Sequence, residues 1–141
     1  MPRFLGIDHG TKRIGLAVSD AGGSLASPLA TIEERADPQA QARAVIARAK
    51  EYQVSAFVVG LPLNMDGSEG KQAKTARLFG EALARLSGRP VHYWDERLSS
   101  FQADQLMGGT DLTHKQKKKH RDRIAAQVVL QEFLSARQDA S

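Results

Sequence analysis

The chain has 141 residues, 41% of them hydrophobic, which is the length and composition of one ordinary domain with a single core. We expect this domain over residues 1–138 and a short polar tail over residues 139–141. The sequence has no cysteine, which excludes disulfide frameworks and thiolate metal sites. The N-terminal run resembles neither a signal nor a transit peptide, and no apolar stretch could span a bilayer, so we expect a soluble, cytoplasmic protein without a membrane partner.

The formal net charge of +4 is concentrated in one segment, residues 115–123. Its six cations are Lys115, Lys117, Lys118, Lys119, Arg121 and Arg123. With the single acid Asp122 the segment carries +5, which leaves the remainder of the chain near −1. A basic patch confined to one segment favours a local site for phosphates, although a solvated lysine-rich loop fits the same pattern.

The first half of the chain predicts a hairpin followed by a strand, a helix and another strand. Short apolar runs at residues 4–8 and 14–18, joined by a polar turn that contains glycine, are typical of two antiparallel strands. A third strand is predicted near residues 26–32. Asp37 and Pro38 then supply a helix N-cap and a first-turn proline, with the helix reaching about Tyr52. The continuous apolar run at 56–61 indicates a strand buried on both faces.

The second half continues the alternation of helices and strands. A loop rich in Pro, Asn and Gly precedes an amphipathic helix with the apolar positions Ala76, Phe79, Ala82, Leu83 and Leu86, which ends at Gly88. A strand at 91–94, a short helix at 99–107 and a last helix at about 121–137 follow. The order β-β-β-α-β-α-β-α predicts an α/β fold with a mixed five-stranded sheet, its first three strands antiparallel, flanked by helices. Sequence order alone also permits other α/β topologies.

Three carboxylates stand where a solvated acid would not normally be placed. Asp8 ends the first apolar strand, and Glu96 follows the last one. Asp122 has helical spacing to Ala125 and Val129, so its carboxylate should point toward the sheet. An acid on an apolar stripe is costly unless a cation, a hydrogen-bond network or a metal ion accompanies it.

If the three acids converge, they repel one another unless divalent cations neutralise them, and oxygen ligands without cysteine suit Mg²⁺ or Mn²⁺. Two such ions can activate a water and stabilise the leaving oxygen of a phosphodiester. Each acid also has a structural alternative. Asp8 could cap the hairpin, Glu96 could pair with Arg97 or Arg13, and Asp122 could favour the N-terminus of the last helix electrostatically.

Four segments resemble, in order, the successive motifs of the YqgF (RuvX) family: FLGIDHGTKRIGLAVSD, VGLPLNMDG, DERLSS and HRDRIAAQVVL. The resemblance covers about Arg3 to Leu134. Members of that family resemble the Holliday junction resolvase RuvC in having an RNase H-like fold. They are described as resolvases, or as nucleases that mature small-subunit ribosomal RNA.

This resemblance implies a nuclease that depends on Mg²⁺ or Mn²⁺, with two ions, and that matures the 5′ end of pre-16S rRNA or cleaves DNA in the manner of a junction resolvase. It implies nucleic acid as the partner, with pre-ribosomal particles as a further candidate, and a monomer or weak homodimer. The family's three acids fall on Asp8, Glu96 and Asp122. We expect Asp8, on the central strand, to bridge both ions, with Glu96 and Asp122 holding one each.

Side chains that we expect to bind substrate lie near these acids, in the Pro- and Asn-containing loop, and in the basic segment. They are Thr11, Lys12, Arg13, Asn64, Arg97, Lys117, Lys118, Lys119 and Arg121. For Thr11, Lys12, Arg13 and Arg97 a plain surface or hairpin role fits comparably well, and turn geometry alone explains Asn64.

Two rival functions remain open at this point. The turn containing Asp8, Gly10 and Thr11 resembles the phosphate-binding turn of ASKHA-type ATPases and sugar kinases, but those proteins bind nucleotide between two lobes and use a second phosphate loop. A non-catalytic nucleic-acid-binding or ribosome-assembly factor would use the basic segment, and its binding would survive loss of the acids. The sequence does not separate RNA from DNA as substrate.

Overall fold

The computed structural model describes residues 3–34, 37–97 and 114–140. In chain order these residues form β1 (Phe4–His9), β2 (Arg13–Ser19), β3 (Ala26–Glu33), α1 (Pro38–Lys50), β4 (Ala56–Leu61), α2 (Lys71–Ser87), β5 (Val91–Asp95) and α3 (His114–Ala140). The short helix predicted at 99–107 lies outside the described residues. Every other predicted element is present.

The five strands form one mixed sheet in the order β3-β2-β1-β4-β5. The pairs β1–β2 and β2–β3 are antiparallel, with a register irregularity between Leu16 and Ala17, whereas β1–β4 and β4–β5 are parallel. The predicted mixed sheet with three antiparallel strands is therefore confirmed. Asp8 lies on the central strand β1, and Glu96 directly follows the edge strand β5.

The sheet is covered on both faces, which divides the core in two. One core packs β1, β2, β4 and β5 against α1 and α2, and the other packs strands against α3. Successive side chains of a strand alternate between faces. Leu5 and Ile7 belong to the first core and Phe4 to the second, so Asp8 is directed to the α3 face and His9 to the opposite one.

The ends of α1 and α2 follow local sequence signals. The Asp37 side chain accepts a hydrogen bond from the backbone N–H of Ala40 at 2.8 Å and caps α1, which ends at Lys50 rather than at Tyr52. Gly88 ends α2 in the left-handed conformation, with φ of 68°. Leu86, expected on the apolar stripe of α2, is 38% exposed, so this expectation was wrong.

Helix α3 is longer than predicted at both ends, running from His114 to Ala140. Its first turns consist largely of Lys, Gln and Arg, which have high helix propensity, and repulsion between neighbouring cations costs only a few tenths of a kcal/mol per pair. Asp122 consequently lies in the third turn, and the alternative that it serves the helix N-terminus is wrong.

The predicted apolar face of α3 is confirmed, since Ala125, Val129 and Phe133 are buried. The basic segment is therefore the beginning of a helix that packs on the sheet, and not a loop before it. Within the described ranges, none of the helices combines the length and apolar character needed to cross a membrane.

Candidate active site

A cleft of about 640 Å³ opens at the ends of β1 and β5. Its walls are formed by Asp8, His9, Gly10, Thr11, Lys12, Arg13, Pro62, Lys71, Gln72, Thr75, Glu96, Arg121 and Asp122. Seven of the residues expected from the sequence thus meet here: the three acids and the side chains of Thr11, Lys12, Arg13 and Arg121. They arrive from β1, the β1–β2 turn, β2, the end of β5 and α3.

Asp8 and Glu96 form a half-buried carboxyl pair. Burial raises the pKa of Asp8 to about 6, an effect that the hydrogen bond with Glu96 opposes and the charge of Asp122 reinforces. Burial also raises the pKa of Glu96 to about 9, and the charge of Asp8 adds to this rise. Both pKa values are raised, so the pair keeps protons to a higher pH than two solvated carboxyls would.

Two glycines make room for the acids. A Cβ atom on Gly60 of β4 would collide with Oε2 of Glu96, and one on Gly15 of β2 would collide with the backbone oxygen of Asp122. Both glycines lie inside apolar strand runs, where a glycine often marks a close approach by another group. That signal was available in the sequence, and sequence reasoning missed it.

Asp122 is held by an arginine. Nε of Arg13 donates to Oδ2 of Asp122 at 2.7 Å. The alternative in which Arg13 or Arg97 pairs with Glu96 is wrong, because Arg97 instead binds Asp95, with Nη2 at 2.6 Å from Oδ2. Among the described residues, no group of three or more His, Asp or Glu side chains is arranged so that it could hold a metal ion.

The Asp8–Glu96 pair nevertheless fits a divalent cation. Oε2 of Glu96 is buried and has no hydrogen-bond partner among the described residues. An uncompensated buried oxygen beside a second carboxyl, in a chain without cysteine, is a donor set suited to Mg²⁺ or Mn²⁺. Asp122 would complete a three-acid set only after releasing Arg13.

Cationic and polar side chains rim the cleft from two sides. The β1–β2 turn is closed by the Gly10 N–H donating to the Arg13 carbonyl at 2.9 Å, which leaves Thr11 and Lys12 exposed at its tip. On the opposite wall, α2 contributes Lys71, Gln72 and Thr75. Sequence reasoning missed these three because they stand at the polar start of an amphipathic helix, where such residues are ordinary.

Asn64 and Arg97 lie outside the cleft walls. Nδ2 of Asn64 donates to Oγ of Ser68 at 3.0 Å, and the Asn64 carbonyl accepts from the Gly67 N–H at 2.8 Å, so Asn64 closes its own loop. Arg97 supports the same loop through Nη1, which donates to the carbonyl of Met65 at 3.2 Å.

The lysines of α3 extend away from the acids along the helix. Lys117 and Lys118 are exposed, and neither belongs to the cleft walls. Lys119 is partly buried, and its Nζ lies 3.1 Å from Oε1 of Glu33 on β3. The backbone oxygen of Lys119 also accepts a hydrogen bond from Thr31 at 2.6 Å, which fastens the start of α3 to β3.

His9 is held in one tautomer by Gln41, a buried residue that sequence reasoning did not single out. Nε2 of Gln41 donates to the carbonyls of Gly10 and Glu34 at 3.4 and 3.0 Å, so its Oε1 faces Nε2 of His9 at 2.9 Å. Nε2 of His9 therefore carries the proton. Burial lowers the pKa of His9, which keeps the ring neutral where it stacks on Phe79.

Comparison with known proteins gives consistent results. The family model "RuvX: Holliday junction resolvase" matches residues 2–136. A protein of Anaeromyxobacter sp. (strain Fw109-5) named "Putative pre-16S rRNA nuclease" is 43% identical over 135 residues, covering 96% of this chain and 98% of that protein. A protein of the same name from Caldanaerobacter subterraneus subsp. tengcongensis is 38% identical over 139 residues, covering 98% and 99%.

Among solved structures, T. thermophilus RuvC in complex with a Holliday junction substrate aligns with a TM-score of 0.56 at 17% identity, covering 98% of this chain and 96% of RuvC. At that identity the likeness concerns the fold, which is RNase H-like. With the family model matching nearly the whole chain, the protein belongs to the RuvX (YqgF) family.

Proposed function

We propose that this protein is a metal-dependent nuclease that hydrolyses phosphodiester bonds, and that its main reaction is 5′-end maturation of pre-16S rRNA. The observation that carries the proposal is the half-buried Asp8–Glu96 pair, which lies beside Asp122 in an open cleft. Carboxyls with pKa values raised this far, grouped in a cleft, are typical of functional sites. Similarity to proteins named as pre-16S rRNA nucleases supports this choice of RNA.

Asp8 and Glu96 would hold Mg²⁺ or Mn²⁺, with Asp122 as the third acidic ligand of the site. When bound, such ions activate the attacking water and stabilise the leaving oxygen. In the free protein, protonation of the Asp8–Glu96 pair would relieve the repulsion between its like charges. Both carboxyls would have to be ionised to serve as ligands, so metal affinity should rise with pH.

Arg13 acts as the temporary partner of Asp122. Its guanidinium neutralises this acid in the free protein, at 2.7 Å. An incoming phosphate offers two oxygens to the same guanidinium and forms a strong bidentate pair. If Arg13 binds the phosphate, the Asp122 carboxylate is released from its ion pair, so substrate binding and the release of this acid would be coupled.

The cations at the rim would bind the phosphates that flank the scissile one. Thr11, Lys12 and Arg121 line the cleft beside the acids and fit this role. Lys117 and Lys118 extend the positive surface along α3 and would steer the substrate from a greater distance. These phosphate contacts do not distinguish one nucleotide sequence from another. They determine the affinity for nucleic acid and the dependence of that affinity on salt.

The experiment that tests the proposal compares wild type with Asp8→Asn on a labelled pre-16S rRNA fragment that carries the 5′ precursor sequence. Each reaction is run with Mg²⁺, with Mn²⁺ and with EDTA. We expect metal-dependent cleavage by the wild type and none by Asp8→Asn. Asp20→Asn is the matched control, because Asp20 is an exposed turn residue and must leave cleavage unchanged.

A second candidate function is non-catalytic binding to nucleic acid during ribosome assembly. Its supporting observation is that Arg13 occupies Asp122 and that the described acids are not arranged as a metal site. This function predicts salt-sensitive RNA binding that is equal in wild type and Asp8→Asn, with no cleavage by either protein under any of the metal conditions.

Junction cleavage is the alternative nuclease role, supported by the family description. Cutting a symmetric four-way junction requires two active sites related by a two-fold axis. The monomer or weak homodimer expected from the sequence stays a prediction, and sedimentation with and without a four-way DNA junction tests it. Metal-dependent cleavage of the junction in preference to the RNA precursor would assign this role instead.

A further inference from the structure

A second cavity lies next to the acidic cleft, at the end of β5. It measures about 410 Å³, within the roughly 300–1,000 Å³ of small-molecule sites. Its walls in the described part of the chain are Met65, Trp94, Asp95, Arg97 and Glu132. Two of these, Asp95 and Arg97, flank Glu96 in the sequence, so the cavity lies at the same end of β5 as the acidic cleft.

The walls combine an aromatic ring with a carboxyl group. Trp94 is partly buried and packs against Phe133 at an interplanar angle of 87°. Burial raises the pKa of Glu132, and a hydrogen bond from Trp94 opposes this rise. Trp94 and Glu132 line the same cavity, and a partly buried carboxyl gains from further N–H donors.

Met65, which is 79% exposed, also lines this cavity. The carbonyl of this residue is held at 3.2 Å by Arg97, whose guanidinium also binds Asp95. The cavity, called the slot below, therefore offers an apolar side chain, an aromatic ring and a carboxyl acceptor. Flat, apolar-faced molecules with N–H groups on their edge have the complementary shape and chemistry.

Resting on the proposed function, we propose that this slot receives one nucleobase of the substrate strand, stacked on Trp94, with an exocyclic amino group donating to Glu132. Carboxylates read bases through such amino groups. Guanine presents two adjacent N–H donors, and cytosine and adenine present one amino group each. Uracil has no exocyclic amino group, and the two carbonyl oxygens that flank its N3–H are repelled by the acid. Uracil is therefore disfavoured at this position.

The chain has a single tryptophan, so its fluorescence reports on the slot alone. The test uses the full chain carrying Asp8→Asn, to prevent cleavage, and measures binding to short RNAs by filter retention and by Trp94 emission. The probes are hexauridylate, hexamers in which one central uridine is replaced by G, C or A, and a hexamer with an abasic site there.

We expect the G-containing hexamer to quench Trp94, to protect it from acrylamide, and to bind about tenfold more tightly than hexauridylate. Adding Glu132→Gln should reduce that preference to less than about twofold, since the amide cannot accept from both donors. Glu81→Gln, an exposed acid on α2, is the matched control and should keep the preference.

The experiment distinguishes a failure of the proposed base site from a failure of the proposed function. If the hexamers bind with equal affinity, the abasic one included, and Trp94 emission does not change, the base site is overturned while the nuclease proposal stands. If filter retention detects no binding of any RNA, nucleic-acid recognition itself is contradicted, and the base site with it.

Discussion

Arg13 and Asp122 stand 109 residues apart in the sequence, yet Nε of the arginine lies 2.7 Å from a carboxylate oxygen of the acid. The bond joins β2 to α3 at the mouth of the cleft. The side chains are 30% and 15% exposed, so the pair is neither a surface ion pair nor a fully buried one. Arg13 therefore links β2 to α3, and in the proposed nuclease it would compete with a metal ion for Asp122.

The first prediction concerns this competition. Arg13→Ala should lower the free energy of unfolding by about 1–3 kcal/mol in EDTA, because Asp122 loses its partner. The same variant should bind Mn²⁺ more tightly and cleave more slowly. Urea unfolding and calorimetric Mn²⁺ titration measure the first two effects. Arg48→Ala, which removes an exposed pair with Glu51 at 3.8 Å, should change neither.

The second prediction concerns the space that Gly60 leaves for Glu96. A methyl group at this position collides with Oε2 of the acid, so Gly60→Ala should displace the carboxyl and destabilise the protein by about 1–3 kcal/mol. Mn²⁺ affinity should fall at least about tenfold as one ligand is misplaced. Gly22→Ala, whose Cβ meets its nearest atom at 3.7 Å, should leave Mn²⁺ affinity unchanged. If Gly60→Ala and Gly22→Ala bind Mn²⁺ with equal affinity, the close approach of Gly60 and Glu96 does not serve metal binding.

The third prediction is the pH dependence of stability without metal. Folding raises the pKa of Asp8 from 3.8 to about 6 and that of Glu96 from 4.5 to about 9. The folded state thus keeps protons that the unfolded chain has lost. The stabilisation is complete below about pH 4 and disappears as pH rises through about 6 to 9, so this pair makes stability decrease with pH.

Thermal unfolding in EDTA checks the prediction. Glu96→Gln should unfold roughly 3–6 °C above wild type at pH 8, because it carries no charge in either state. Saturating Mn²⁺ should raise the melting temperature of the wild type and not that of the variant. If Glu96→Gln is less stable than wild type at pH 8, ionisation of Glu96 does not destabilise the metal-free fold, and the prediction is contradicted.

The fourth prediction concerns the exposed lysines of α3. Replacing Lys117 and Lys118 by glutamine should weaken RNA binding and reduce the slope of log affinity against log salt by roughly 1.4–1.8. Cleavage at saturating RNA should be unchanged, since neither residue lines the cleft. Lys50→Gln combined with Lys74→Gln removes the same charge elsewhere and should leave the slope as in wild type.

Sequence patterns predicted the fold where a local rule decides the outcome. Alternation of apolar residues identified the strands, Asp37 marked the start of α1, and helical spacing put Asp122 on the buried face of α3. The start of α3 at His114 was not predicted, because the apolar helical spacing that marks this helix in the sequence begins only at about residue 121. Helix propensity and the packing of the following turns outweigh the repulsion between the cations there.

The candidate site was likewise predicted only in part. Asp8, Glu96 and Asp122 were expected together, and the structure brings them to one cleft. The partners of the arginines were not predictable, because both Glu96 and Asp122 were within conceivable reach of Arg13. That choice depends on which strand faces which helix, a long-range property that no local spacing encodes.

The three acids enter the cleft from the first strand, from the end of the fifth strand and from the last helix. That last helix also covers one whole face of the sheet. One helix therefore supplies both the third acid of the cleft and the packing of one face of the sheet. A change that loosens this helix from the sheet should displace Asp122 at the same time, which couples the integrity of the second core to the integrity of the acidic cleft.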